Sequence, residues 1–369
     1  MTLQPASDSR PRPKLGYRPA LDGIRAVAIA CVLLAHTIGF SEGFVGVYLF
    51  FALSGFLITT LLLEEHAREG RVSFPDFYRR RALRLLPALF AVLAAFLAYA
   101  VLESLYRGGS LDRAIFGVVA GLGYFSNIAL AAETEPGTGM PSALRHLWSL
   151  AIEEQFYLLW PPALFLVLGG RRRLALVALG ILVVLAAVQQ TWLYLDGASE
   201  QRIAYGTDTG STSILVGCVL AVALTTVARS RLEASGVWVT PLAIAGFLAL
   251  LFVNAHGSSL FSVWVLALAL CCACLILRAL DDRSVLARAL SLRPLVFLGR
   301  ISYALYLWHL PIYVVLGLGP SAELLDIPAL ALALGCATAS YYFVEVPFLR
   351  RKNRPAPQLA EKRPVAVPA

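Results

Sequence analysis

Apolar segments of about 20 residues, the length that crosses a bilayer as a helix, recur along most of the chain. Hydrophobic residues make up 59% of the 369 residues and charged residues 15%, against roughly 25% charged in an average soluble protein. This pattern predicts an all-α protein, a polytopic transmembrane helical bundle, and it excludes disordered, collagen-like and disulfide-scaffold classes. The candidate segments are 24–40, 44–63, 85–103, 114–132, 148–168, 174–195, 211–228, 237–254, 260–280, 295–317 and 328–349.

The basic residues orient these segments, because the cytoplasmic loops of membrane proteins retain Lys and Arg. Residues 10–18 and 350–354 are both basic, which predicts that both termini are cytoplasmic and that the number of crossings is even. Loop 64–84 and residues 171–173 are rich in arginine too, so an even number of crossings must separate them. We therefore expect about ten crossings, with the glycine-containing segment 114–132 forming a re-entrant or surface helix.

The domain organisation that follows is one membrane domain over residues 19–350, flanked by disordered cytoplasmic tails at 1–18 and 351–369. The net charge of +8 is explained by basic residues retained in loops, so the bilayer is an expected partner and nucleic acid is not. All six cysteines lie in apolar segments without metal-ligand spacing. They predict buried hydrophobic side chains, no metal site and no disulfide framework.

Ionisable residues within apolar segments are costly and usually functional, which gives a short set of candidates. Arg25 and His36 are eleven residues apart, so they share one helix face and are separated by about 16 Å along the axis. A neutral imidazole at that depth can act as a general base, or it can simply hydrogen-bond a neighbouring helix. Arg81 and Arg84 share a face at i, i+3 and can either bind phosphates or anchor the helix at the membrane boundary.

The segment 146–161 places three polar side chains, Ser149, Glu153 and Tyr157, on one helix face. Glu153 could orient or activate a histidine, could hold a substrate hydroxyl, or could face a polar loop at the start of its helix. Ser149 and Tyr157 are candidate substrate-binding residues on the same face.

Two further positions complete the candidates. His309 shares a helix stripe with Tyr306, and it can either line a binding pocket or pack between helices. We expect Glu345 to pair structurally with an arginine, and His146 is a weak candidate.

Six blocks of the sequence, in this order, resemble acyltransferase family 3. They are RPALDGIRAVAIACVLLAH, GFVGVYLFFALSGFLIT, FYRRRALRLLP, HLWSLAIEEQFYLLWP, SYALYLWHLPI and YYFVEVPFLR. The resemblance implies a membrane O-acyltransferase, of the kind found in the bacterial inner (plasma) membrane, that moves an acyl group, commonly acetyl from acetyl-CoA, to a hydroxyl of a sugar, glycan or macrolide. Acyl-CoA would be a donor substrate, with no permanently bound cofactor.

The resemblance also implies residue roles. The family's signatures fall on Arg25 with His36, on Arg81 with Arg84, and on Glu153. His36 would then be the general base or the acyl carrier, assisted by Glu153, and the three arginines would bind acyl-CoA.

This chain departs from the family pattern at two positions. It has Tyr48 where the family usually has Asp, and Gly210 where we expect Arg.

The alternative function from another class is a transporter or flippase for a lipid-linked or small-molecule glycoside, because intramembrane His and Glu residues also suit proton relays.

Overall fold

The computed structural model describes residues 15–37, 44–133, 139–168, 172–226, 229–253, 260–318 and 326–352, and most of both predicted tails lies outside these ranges. Within them the chain is helical throughout and contains no strand, which confirms the predicted all-α class. A single turn of 3₁₀ helix at Ser142–Leu144 and a π-helical turn at Tyr341–Glu345 accompany the α-helices. The α-helices are α1 Pro19–Thr37, α2 Phe44–Glu69, α3 Phe74–Arg107, α4 Asp112–Leu122, α5 Ser126–Ala131, α6 Leu147–Leu168, α7 Arg172–Leu195, α8 Glu200–Tyr205, α9 Thr207–Gly210, α10 Thr212–Thr226, α11 Arg229–Leu250, α12 Phe261–Ala279, α13 Val285–Leu290, α14 Arg293–Val315, α15 Asp326–Ser340 and α16 Val346–Lys352.

Eight stretches of the described chain are long and apolar enough to cross a membrane. They are Pro19–His36, Phe44–Glu69, Phe74–Arg107, Arg173–Leu195, Thr207–Thr226, Phe261–Ala279, Arg293–Val315 and Ile327–Arg351. The protein is therefore a polytopic helical bundle. The predicted segments 148–168 and 237–254 coincide with α6 and α11, and the count of ten crossings stays a prediction.

Segment 114–132 does not form one continuous helix. It is divided into α4 and α5 at Gly123 and Tyr124, and Tyr124 has a φ of +52°, in the left-handed region. Two helices of 11 and 6 residues are each too short to span a bilayer, which needs about 20 residues. The break thus agrees with a segment that does not cross the bilayer as one helix, and its place as a re-entrant or surface element stays a prediction.

Close approaches at glycines determine how the central helices pack. A Cβ atom at Gly55 of α2 would lie 1.9 Å from the backbone oxygen of Ile214, and one at Gly217 of α10 would lie 2.0 Å from that of Ala52. At Gly299 of α14, a Cβ atom would lie 1.8 Å from the backbone oxygen of Asp22 in α1. Side chains larger than hydrogen would force these helices apart, so α1, α2, α10 and α14 pack backbone to backbone.

The local sequence explains where α3 begins. Ser73 has an extended backbone and its hydroxyl accepts a hydrogen bond from the backbone N–H of Asp76, which is the geometry of an N-cap. A proline in the first turn is compatible with this start, because its missing N–H would have no partner there. The cap places Arg81 and Arg84 two to three turns into α3, beside α6 and α14.

Candidate active site

A cavity of about 240 Å³ lies between α1, α2, α3, α6 and α14. Along α2 its wall extends from Val47 to Leu61, which corresponds to about 21 Å of helix. Most of the site residues predicted from the sequence line it: Arg25, Arg81, Arg84, Ser149, Glu153 and Tyr157. The predicted site residues His36 and His309 are not part of its wall.

One end of the cavity, here called the basic end, contains Arg25, Arg81 and Arg84. The guanidinium of Arg81 lies 3.4 Å from Glu154 Oε1 and stacks over the ring of Tyr157, with its Cζ 3.4 Å from the ring centroid. Glu154 also lines the cavity, although sequence reasoning did not select it. Arg81 is therefore held by both an ion pair and a cation–π contact.

Glu153 is a hydrogen-bond acceptor within the wall of the cavity. The hydroxyls of Ser54 and Tyr157 both donate to its Oε1, and Arg81 Nη2 lies 4.0 Å from the same atom. The expectation that Glu153 orients His36 directly does not fit this arrangement, in which its hydrogen-bond partners are Ser54 and Tyr157. Nδ1 of His36 lies 2.8 Å from the backbone oxygen of Val32, and a carbonyl can only accept, so this contact sets the tautomer.

Arg84 differs from Arg81 because it has no hydrogen bond or ion pair with any residue that the structure describes. It experiences electrostatic repulsion from Arg25, whose own ion pair with Asp22 is loose at 3.8 Å. The guanidinium of Arg84 is therefore the cation at this end that no carboxylate of the described chain contacts, and a bound anion would balance it.

Glu345 lies in the π-helical turn and is 4% exposed. The predicted ion pair with an arginine is wrong as a direct contact, since within the described ranges no arginine approaches its carboxylate within 4.0 Å. Arg84 acts on it only through the longer-range electrostatic field.

A group of rings, here called the ring cluster, is formed by Tyr306, which lines the cavity, and by His36, His146 and His309, which lie outside its wall. The centroid of His309 lies 5.1 Å from that of His36, 5.2 Å from that of His146 and 5.8 Å from that of Tyr306. The weak candidate His146 thus belongs to the group, and burial together with nearby His36 lowers the pKa of His146 to about 3. Its position directly before the W-S-L block was the only signal in the sequence.

A pair of hydroxyls connects the cavity to the ring cluster. Ser149 Oγ lies 2.7 Å from Tyr306 Oη, and the Tyr306 hydroxyl donates to the backbone oxygen of His146. Because a carbonyl only accepts, Tyr306 is the donor to His146, and Ser149 must donate to Tyr306. The lone pairs of Ser149 are then available to a donor in the cavity.

At the two positions that depart from the family pattern, Tyr48 and Gly210, the residues present pack closely against their neighbours. Tyr48 is 1% exposed and contacts Phe51 and Trp264 edge to face, so an aromatic ring occupies the place of the usual carboxylate. At Gly210 a Cβ atom would lie 2.8 Å from Cδ1 of Ile152, so a larger residue there would require that side chain to move.

Metal-binding residues do not cluster in the part of the chain that the structure describes, where no group of three or more His, Cys, Asp or Glu could hold an ion. The six cysteines are all free thiols.

Comparison with known proteins identifies the class. Residues 18–344 match the family model described as the acyltransferase domain. The chain therefore belongs to this acyltransferase family, and its helices make it an integral membrane protein.

Several curated relatives are similar to the chain. It is 36% identical over 361 residues to the putative peptidoglycan O-acetyltransferase YrhL of Bacillus subtilis (strain 168), covering 90% of this chain and 55% of the relative. It is 33% identical over 364 residues to the peptidoglycan O-acetyltransferase OatA of Listeria monocytogenes, covering 91% and 56%. For the O-acetyltransferase OatA of Staphylococcus aureus (strain NCTC 8325 / PS 47) the identity is 30% over 360 residues, covering 91% and 58%. The chain thus spans little more than half the length of these relatives, and no solved structure matches it significantly.

Proposed function

We propose that this protein is a membrane O-acyltransferase that moves an acyl group, in the first instance acetyl, from acyl-CoA to a hydroxyl of a glycan. The printed names of its relatives support a glycan acceptor, since they are peptidoglycan O-acetyltransferases. Sugars other than peptidoglycan, and macrolides, are acceptors of the same hydroxyl chemistry.

The observation that carries this proposal is an elongated cavity with the guanidinium of Arg84, which no described residue pairs, at one end, and with the imidazoles of the ring cluster outside its wall beyond Ser149 and Tyr306. The phosphates of acyl-CoA would bind Arg84 and Arg25, because guanidinium groups form strong charge-assisted hydrogen bonds to phosphate. Arg81 would support them from its contacts with Glu154 and Tyr157. The narrow chain of acyl-CoA that carries the thioester would then extend along α2 toward Ser149.

The chemical step would take place at the ring cluster. The acyl group would pass Ser149 to reach His36, whose Nε2 is the free acceptor nitrogen because its Nδ1 donates to Val32. His36 would remove the proton from the acceptor hydroxyl as that oxygen attacks the thioester, or would carry the acyl group itself. Glu153 would act through Tyr157 and Ser54, by holding the wall against which the donor lies.

The distribution of arginines supports an orientation of the chain in the membrane. We place the protein in the bacterial plasma membrane with both termini in the cytoplasm, so that acyl-CoA enters at the basic end. The acceptor would approach the ring cluster from the opposite face. No specific observation favours the transporter or flippase alternative.

The test is acyl transfer from labelled acetyl-CoA by the full chain in proteoliposomes. His36→Ala should lower turnover about a thousandfold, within the range for loss of a general base. His66→Ala is the matched control, because His66 packs against Phe165, away from the cavity, and should keep wild-type turnover.

Two results would reject the proposal. One is a His36→Ala protein that is produced normally and turns over at the wild-type rate. The other is a wild-type protein that never consumes acyl-CoA but moves a glycoside across the bilayer.

A further inference from the structure

His309 carries an acceptor nitrogen that nothing in the proposed reaction uses. Its side chain is fully buried, and its Nδ1 lies 2.7 Å from the backbone oxygen of Tyr306 and 3.2 Å from that of Leu305. Since both partners are carbonyls, Nδ1 carries the hydrogen, and Nε2 carries the lone pair. Nε2 is buried and has no hydrogen-bond partner among the described residues.

A buried acceptor without a donor is unfavourable, so such a group in a native structure calls for an explanation. The titratable groups that face His309 are His36 from α1, His146 from the segment before α6, and Tyr306 and Tyr313 from its own helix. The Tyr306 hydroxyl already donates to the backbone oxygen of His146. His146 already carries one N–H as a neutral imidazole, and neither of its ring nitrogens has a hydrogen-bond partner among the described residues. His36 is the group that gains a hydrogen when it acts as a base.

The two neighbouring imidazoles of His36 and His309 are in the same tautomer, so each offers an acceptor nitrogen and neither offers a donor to the other. Both donate Nδ1–H to a backbone carbonyl one turn earlier, so both present a bare Nε2. Their ring centroids are 5.1 Å apart with an interplanar angle of 67°, so the two rings are in edge-to-face contact. A proton on His36 would turn this mismatch of two acceptors into a donor and an acceptor.

We propose that His309 is a positioning residue that stabilises the protonated form of His36 during acyl transfer. This inference rests on the proposed function with His36 as the base. The acceptor O–H bond breaks and its proton moves to Nε2 of His36, while the new O–C bond forms and the C–S bond of the thioester breaks. The Nε2–H of protonated His36 is shared, as a three-centre hydrogen bond, between Nε2 of His309 and the departing sulfur, which then takes the proton to give the free thiol.

The first test uses the full chain in proteoliposomes and measures kcat and KM for acetyl-CoA over a range of pH. His309→Phe should lower kcat about a hundredfold with an unchanged KM, because it removes the partner of the base but no donor contact. The acidic limb of the kcat profile should move to lower pH, since the hydrogen bond that favours protonated His36 is lost. His309→Gln, whose amide oxygen accepts a hydrogen bond, should recover part of kcat.

Tyr313→Phe is the matched control, because Tyr313 also packs against His309, with centroids 6.1 Å apart. Tyr313→Phe should leave both kcat and the pH of the acidic limb of the kcat profile unchanged. A folded His309→Phe protein with wild-type kcat would overturn the inference. So would a loss of kcat that leaves the acidic limb where it was, because a packing defect alone would do that.

A second measurement needs no substitution at His309. The chain has five histidines, so ¹⁵N-histidine spectra of the wild-type protein in nanodiscs can follow each ring. The Nε2 signals of His36 and His309 should change together in one titration step, and in His36→Ala the signal of His309 should lose that step. Independent titration of the two rings in the wild-type protein would overturn the inference.

The outcomes distinguish this inference from the proposed function. If the wild type consumes acetyl-CoA, His36→Ala does not, and the substitutions at His309 leave the acidic limb in place, only the role of His309 fails. If the wild type never consumes acetyl-CoA, both fail.

Discussion

The basic end of the cavity and the ring cluster differ in the way their polar groups are balanced. At the basic end, Arg81 is held by Glu154 and Tyr157, while Arg84 has no partner within the described chain. In the ring cluster, His36 and His309 both donate to backbone carbonyls and keep one bare nitrogen each. A guanidinium without a partner at one end suits an anionic ligand, and neutral acceptors at the other suit proton removal.

This difference separates binding from proton transfer along the cavity. Substitutions at the basic end should therefore change KM for acyl-CoA, and substitutions in the ring cluster should change kcat. A substitution at the basic end that lowered kcat, or one in the ring cluster that raised KM, would show that the two ends act as one unit.

After the substitutions at His36 and His309 described above, the largest effect in this comparison is expected at Arg84. Arg84→Ala should raise KM for acetyl-CoA by about 10- to 100-fold, the value of one charge-assisted hydrogen bond, with little change in kcat. Steady-state kinetics with labelled acetyl-CoA would measure both constants.

Arg79→Ala provides the control on the same helix. Arg79 pairs with Asp76 at 3.6 Å and does not line the cavity, so its loss should leave KM unchanged. Equal effects of the two substitutions would mean that general positive charge, and not the position of Arg84, attracts the donor.

A smaller effect is expected at the connection between the two ends. Tyr306→Phe removes the hydroxyl that accepts from Ser149 and donates to the backbone of His146. We expect kcat to fall about tenfold, which corresponds to one hydrogen bond, with KM for acetyl-CoA preserved. Single-turnover measurements would locate the loss in the chemical step, and a rise in KM instead would place Tyr306 in donor binding.

The smallest effect is expected at His146. Its pKa of about 3 lies far below the working range, so it stays neutral there and cannot contribute to the pH dependence between about pH 5 and 9. His146→Gln should therefore leave the acidic limb in place and change kcat by less than about threefold. A pH–rate profile of this variant that moved with that of His309→Phe would show that His146 shares the proton as well.

The residues within one helix were predictable because their arrangement is local. Spacings of three and four residues place Arg81 beside Arg84, and Ser149, Glu153 and Tyr157 in one row, whatever surrounds the helix. All five line the cavity. The break in segment 114–132 was also readable, since its glycines and polar residues weaken it as a spanning helix.

Neighbours from different helices were not predictable in this way. The sequence separates His36 from His309 by most of the chain, yet their rings are in contact. It suggested an arginine partner for Glu345 and a role for Glu153 beside His36, and the structure places both carboxylates elsewhere.

The amino-acid sequence alone determined the class, the spanning segments and the polar face of each helix, because hydrophobicity and helical periodicity act over one or two turns. Only the tertiary structure decided which faces meet, because backbone contacts at Gly55 and Gly299 bring α1, α2, α10 and α14 together. The approach at Gly299 sets α14 against α1, and it is on these two helices that the rings of His309 and His36 meet.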